Sequence, residues 1–137
     1  VAVRFLGRLA ELPEQAQERI VAACEKTVGG TKLQLAVAFN YGSRTEIVDA
    51  VRSIAAAGHS PESIDEGTIA SALYTAGMPD PDLVIRTGGE ERLSNFLLWQ
   101  SAYAEIVTTA TLWPDFGAAD LDAAIATYTQ RIRRFGR

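Results

Sequence analysis

Leu33-Gln34-Leu35-Ala36-Val37-Ala38-Phe39-Asn40-Tyr41-Gly42-Ser43-Arg44-Thr45-Glu46 is the stretch from which the fold follows. Leu33 to Phe39 alternates as a strand does, with large apolar side chains on one face. Gln34, Ala36 and Ala38 make the other face, small enough to accept a packed helix. Asn40-Tyr41-Gly42 turns the chain, and Ser43 and Glu46 have the spacing of a capping box that opens a helix. Ile47, Val48, Val51, Ile54 and Ala55 supply that helix with a buried stripe, which Gly58 closes. A strand feeding directly into a helix is half of a strand–helix–strand unit, and the flanking sequence repeats the pattern.

Upstream, Val1, Val3 and Phe5 share one face of an earlier strand. Pro13 suits a first helical position, and Ala16, Ile20, Ala23, Cys24 and Val28 recur at helical spacing until Gly29-Gly30. Downstream, Asp65 is placed to cap a helix bearing Ile69, Ala72, Leu73 and Ala76. Pro79-Asp80-Pro81 interrupts before a short strand, Leu83-Val84-Ile85. A short helix is expected through Phe96-Leu97-Leu98-Trp99, then a strand near Ile106-Val107-Thr108. The last helix turns Leu121, Ile125, Tyr128 and Ile132 inward. This alternation predicts the α/β class, a parallel sheet flanked by helices. In such sheets the loops leaving the carboxyl ends of strands build the binding crevice, which selects residues 40–44 and 86–94.

The composition excludes several functions. The chain has 137 residues with 47% hydrophobic content, the size of one domain. No apolar run approaches the ~20 residues of a membrane span. One cysteine, Cys24, and one histidine, His59, leave no disulfide framework, cysteine-rich zinc site or histidine-based triad. Cys24 reads as inert on an apolar helix face, and His59 as solvated. The net charge of −4 argues against a general nucleic-acid binder. Residues 131–137 hold four arginines and no acid, whereas the first 130 hold nine basic and seventeen acidic side chains. That tail either complements a helix carboxyl end or forms an anion-binding arm.

The strongest constellation is Arg86-Thr87-Gly88-Gly89 followed by Arg92-Leu93-Ser94-Asn95. Two arginines six apart flank a glycine turn and converge when the loop folds back. The glycines permit close backbone approach, and Ser94 adds a hydroxyl at the expected helix start, so the group describes a phosphate or diphosphate site. A surface loop in which Arg86 and Arg92 pair with Glu90 and Glu91 fits the same residues. No Walker-type loop is present. Glu105, beside an apolar strand, is either a rim residue or a hard-cation ligand, since Mg²⁺ takes one or two carboxylates plus substrate phosphates. Phe96, Trp99 and Trp113 read as core, and Arg44 as a residue supporting its loop.

Taken in order, Asn40-Tyr41-Gly42-Ser43-Arg44, Asp82 to Glu90, Arg92 to Gln100, Tyr103-Ala104-Glu105, Leu112 to Phe116 and Arg134-Phe135-Gly136 resemble the cis-prenyltransferases, the undecaprenyl diphosphate synthase family. The wording is most similar to short-chain actinobacterial members of the Z,E-farnesyl diphosphate synthase type. The resemblance implies a Mg²⁺-dependent transferase that condenses isopentenyl diphosphate with an allylic diphosphate to a Z-configured product. It also implies a homodimer in the cytoplasm, with peripheral membrane contact through a lipid product and no nucleic acid. By motif match Arg86, Arg92, Leu93 and Ser94 hold isopentenyl diphosphate, Glu105 binds the metal, and Arg134 and Gly136 reach a diphosphate in the partner's site. The family's amino-terminal Asp-Gly-Asn signature and the following Ser-x-Glu-Asn region have no counterpart here. The expectation is therefore that residues 1–137 are the carboxyl-terminal part of a single family domain, its sheet incomplete on the amino-terminal side. No catalytic residue is assigned within them, and they are expected to be inactive alone. Two alternatives carry different expectations: a non-catalytic partner subunit of the same family, or an unrelated flavodoxin-like phosphate-binding module. Joint retention of Arg86, Arg92, Ser94 and Glu105 argues against the former.

Overall fold

Parallel strands cannot be joined by a tight turn, so each parallel pair here requires a long crossover connection. In the computed structural model, which describes residues 1–131, there are two such pairs, one in each of two compact units, Val1–Met78 and Pro79–Arg137.

In the first unit β1 (Ala2–Leu6) pairs in parallel with β2 (Gln34–Ala38), Ala2 opposite Gln34 and Leu6 opposite Ala38. The crossover is α1 (Glu14–Thr27), which begins one residue later than the sequence implies, so that Pro13 is its N-cap. Thr27 near its end accepts a hydrogen bond from the Val3 amide at 3.0 Å, fastening helix to strand. Val28, assigned to the apolar stripe, lies beyond the helix and is exposed.

The helix α2 (Ser43–Ala56) follows β2. Its N-cap is Gly42, and Ser43 sits inside the first turn instead of capping it. The inward face is Ser43, Glu46, Ala50 and Ile54, whereas Val48 and Val51 are exposed. The inward face is thus partly polar, with only Ile54 of the large apolar residues in the expected stripe buried. The Glu46 carboxylate accepts the Tyr74 amide at 2.9 Å and the Tyr41 hydroxyl. A fully buried carboxylate needs such partners. The helix α3 (Glu66–Ala72) is capped by Asp65 as expected, Oδ1 accepting from the Thr68 amide at 2.7 Å. Leu6, Ala50, Ile54 and Leu73 are the buried apolar residues of this unit, and Leu33, Leu35 and Phe39 of the β2 segment are exposed.

The turn after β1 is locked to the turn after β2. Gly7 has φ +132, and a Cβ there would lie 2.1 Å from the Phe39 carbonyl oxygen, so only glycine fits. Arg8 donates its amide to Asn40 O at 3.1 Å, and Asn40 Nδ2 returns a bond to Arg8 O at 2.9 Å.

In the second unit β3 (Leu83–Arg86) pairs in parallel with β4 (Glu105–Thr108), Leu83 opposite Glu105 and Arg86 opposite Thr108. The connection contains no helix, contrary to expectation at Phe96–Trp99. Ser94, Asn95 and Leu97 all have positive φ, from +45° to +63°, which breaks any α-helical run. The helix α4 (Ala118–Gln130) packs on β4. Ala124 is its buried residue, while Leu121 and Ile125, expected inside, are exposed, and Ile132 lies outside the described residues. Trp113, expected in the core, is 74% exposed and stacks on Phe116 at 6.0 Å.

Candidate functional site

β3 ends at Arg86, and the chain then makes a turn that its glycines dictate. Gly88 and Gly89 have φ of +85° and +74°, a conformation that costs an L-residue about 1–2 kcal/mol. Added Cβ atoms would make only ordinary contacts, so conformation and not space demands glycine here. Both amides are tied to the loop after β4, Gly88 N to Thr111 O and Gly89 N to Thr109 O, each at 2.9 Å. Thr111 is in turn fixed by Asp120 of α4, whose Oδ1 accepts its hydroxyl at 2.8 Å. Asp120 also accepts the Gly117 amide, and these bonds hold its carboxyl below the usual range, the amide first and Thr111 second.

This turn brings Glu90 back onto Arg86. One carboxylate oxygen of Glu90 meets Arg86 Nη2, and the other accepts from Arg92 Nη2 at 2.5 Å. The arginines therefore converge on one acid, the pairing that the surface-loop reading also expects, except that Glu91 takes no part. The Arg86 hydrogen bond, then the Arg92 charge, hold the Glu90 carboxyl below its ordinary range. Arg86 keeps a buried Nε–H with no hydrogen-bond partner among the described residues. Beside them is a cavity of about 260 Å³ lined by Arg86, Thr87 and Arg92 together with Val84, Ile85, Leu93 and Phe96. Cationic donors next to an apolar lining suit an anion carrying a short hydrocarbon tail.

The other expected site residues are placed differently. Ser94 is exposed, has φ +50°, and does not line the cavity. It opens no helix, so the expected set of free helical amides is absent there. Glu105 begins β4 opposite Leu83, three positions from the level of Arg86, roughly 10 Å along the strand. Its carboxylate pairs with Arg131 Nη1 at 3.1 Å, and the same Nη1 donates to Ile106 O at 2.8 Å. Among the described residues no cluster of three or more acidic, histidine or cysteine side chains stands ready for a metal. A lone carboxylate already paired with an arginine does not by itself fit Mg²⁺, which needs further oxygen donors. Arg134 and Gly136 lie outside the described residues.

Two features were not legible as site elements. Phe96, read as core, is 40% exposed and lines the cavity. In the first unit, Arg8 clasps Asp49 with Nε and Nη2, both at 2.8 Å, and the Tyr74 hydroxyl donates to Asp49 at 2.5 Å. The Arg8 bond, followed by that of Tyr74, drives the Asp49 carboxyl far below its usual range. Burial, reinforced by Asp49, pushes the Tyr74 phenol up to about 12. No local motif marks this triad, in which Asp49 is 41 residues from Arg8 and 25 from Tyr74.

The class defined by this geometry is an α/β protein with two arginines gathered by a glycine turn at the carboxyl end of a parallel strand. A family model described as putative undecaprenyl diphosphate synthase matches residues 1–136. An isoprenyl transferase of Heliobacterium mobile is 53% identical over 140 residues, covering 99% of this chain and 54% of that protein. One from Brucella abortus biovar 1 is 54% identical, covering 99% and 55%. Among solved structures, lavandulyl diphosphate synthase from Lavandula x intermedia, in complex with dimethylallyl diphosphate, superimposes with a TM-score of 0.94. It is 41% identical, over 99% of this chain and 60% of that one. A probable undecaprenyl diphosphate synthase from Campylobacter jejuni gives 0.87 at 33% identity, over 99% and 63%. The chain belongs to the cis-prenyltransferase family, that of undecaprenyl diphosphate synthase. It spans about half the length of the curated relatives it matches.

Proposed function

We propose that the full-length protein condenses isopentenyl diphosphate with an allylic diphosphate, extending it by one Z-configured isoprene unit. The observation that carries this reading is the pair of converged arginines beside a cavity with an apolar lining. Isopentenyl diphosphate has that composition: a multiply charged head on a five-carbon tail. Arg86 and Arg92 hold the diphosphate by charge-assisted hydrogen bonds, and Leu93 and Phe96 flank the hydrocarbon. Ser94, one residue beyond Leu93, contributes its hydroxyl once the loop closes on the anion.

The remaining parts of the reading rest on family membership. The two units belong to one domain, this chain being its carboxyl-terminal part, inactive alone. The enzyme is a cytoplasmic homodimer touching the membrane only through its lipid product, without nucleic acid. Arg134 and Gly136 reach a diphosphate in the partner's site. Mg²⁺, when bound, neutralises diphosphate charge, and Glu105 would join it only by leaving Arg131. No step here is routed through the metal.

Arg86→Ala and Arg92→Ala in the full-length protein should each weaken isopentenyl diphosphate binding by about 1.5–3 kcal/mol, the range for hydrogen bonds to charged groups. Steady-state kinetics at varied isopentenyl diphosphate would show this as a raised KM. Unchanged KM and rate in both variants would leave the arginines as surface ion-pair residues.

A further inference from the structure

Resting on the reading of this loop as a diphosphate site, we propose that Glu90 is its built-in occupant. The carboxylate holds Arg86 and Arg92 converged while no diphosphate is bound, and an arriving diphosphate displaces it. Each Glu90 oxygen engages a different guanidinium, so the carboxylate spans the two cations as two phosphate oxygens would. Both cannot remain. A diphosphate bridging the arginines would face the Glu90 charge at close range, and like charges that near repel by several kcal/mol at intermediate dielectric.

The surroundings favour exchange. Backbone bonds from Gly88 and Gly89 to Thr111 and Thr109 fix the turn, which leaves the Glu90 side-chain torsions free to carry the carboxylate away. The Glu90 side chain is 39% exposed, so water can take up the released charge. Arg86 has a further donor in its unpartnered Nε–H, which a larger anion can use and Glu90 does not. Glu90 thus competes with substrate while keeping the arginines from splaying apart. Its neighbour Glu91 is exposed and makes no ion pair among the described residues, which supplies an internal control of equal charge.

The experiment is calorimetric titration of inorganic diphosphate into the full-length protein, its allylic site first filled with a non-reactive allylic thiodiphosphate, at fixed ionic strength, with circular dichroism confirming that each variant is folded. Glu90→Gln should bind diphosphate roughly three- to tenfold more tightly than Glu91→Gln, the gain expected from freeing two partly exposed ion pairs. A gain below threefold over Glu91→Gln, or binding weaker than wild type, overturns the proposal. Arg86→Ala separates the two levels of the argument. Lost diphosphate binding there, without a gain in Glu90→Gln, removes the occupant and keeps the site. Undiminished binding in Arg86→Ala removes the site itself and the proposal with it.

Discussion

Gly88 and Gly89 gather charge at a strand end, because two successive left-handed residues turn Glu90 and Arg92 back toward Arg86. Replacing either by alanine should cost about 1–2 kcal/mol of stability through φ alone, as there is room for the methyl group. Denaturant titration would measure that cost, and KM for isopentenyl diphosphate should rise with it as the arginines lose their convergence. In the first unit Asp49 is the corresponding residue. Its carboxyl titrates far below the unfolded value because Arg8, then Tyr74, bind the charged form. The stabilisation is therefore full above about pH 4, and is lost as pH falls through the depressed folded value. Asp49→Asn should lower the melting temperature at neutral pH and flatten its decline on acidification. A mutant whose acid limb parallels wild type would show that Asp49 contributes no such linkage.

Elements were legible where local chemistry alone decides them. Asp65 has a short polar side chain three residues before Thr68, and it caps α3 as the spacing implies. β1 and β2 were legible from alternation, and β3 and β4 as short apolar runs. What the sequence conceals is the rotation of helices about their axes. Val48 and Val51 invite an apolar stripe on α2, yet Ser43 and Glu46 face inward, and Glu46 meets donors from Tyr41 and from the Tyr74 amide 28 residues away. The same blindness affects Phe96–Trp99, where apolar spacing reads as helix but left-handed residues at Ser94, Asn95 and Leu97 prevent it. That Arg86, Arg92 and Leu93 would lie side by side was legible, because the short loop between them brings them to one cavity by itself. The metal-binding role of Glu105 came from motif match alone, and strand register sets Glu105 at the other end of β3 and β4 from Arg86. Glu46→Ala should destabilise the protein by about 1–3 kcal/mol, since it leaves buried donors unpaired. Thermal or denaturant unfolding checks this, and a neutral substitution would contradict the role given to Glu46 as the partner of those donors.

At the scale of the whole molecule, the charge is unevenly distributed: nine basic and seventeen acidic side chains in residues 1–130, and four arginines without an acid in residues 131–137. If the tail completes a neighbour's diphosphate site, deleting residues 134–137 should abolish most activity and leave the dimer intact. Mixing that truncation with full-length Arg86→Ala should restore partial activity, because one composite site in each heterodimer is then whole. Confirmed heterodimers that stay inactive would place the tail's action within its own subunit. All of this depends on the 86–92 loop being where isopentenyl diphosphate docks. A crystal structure of the full-length protein grown with isopentenyl diphosphate tests it. Diphosphate oxygens are expected about 3 Å from Nη2 of both Arg86 and Arg92, the hydrocarbon against Leu93 and Phe96, and the Glu90 carboxylate swung away. Diphosphate density remote from both arginines, with Glu90 still bridging them, would contradict it.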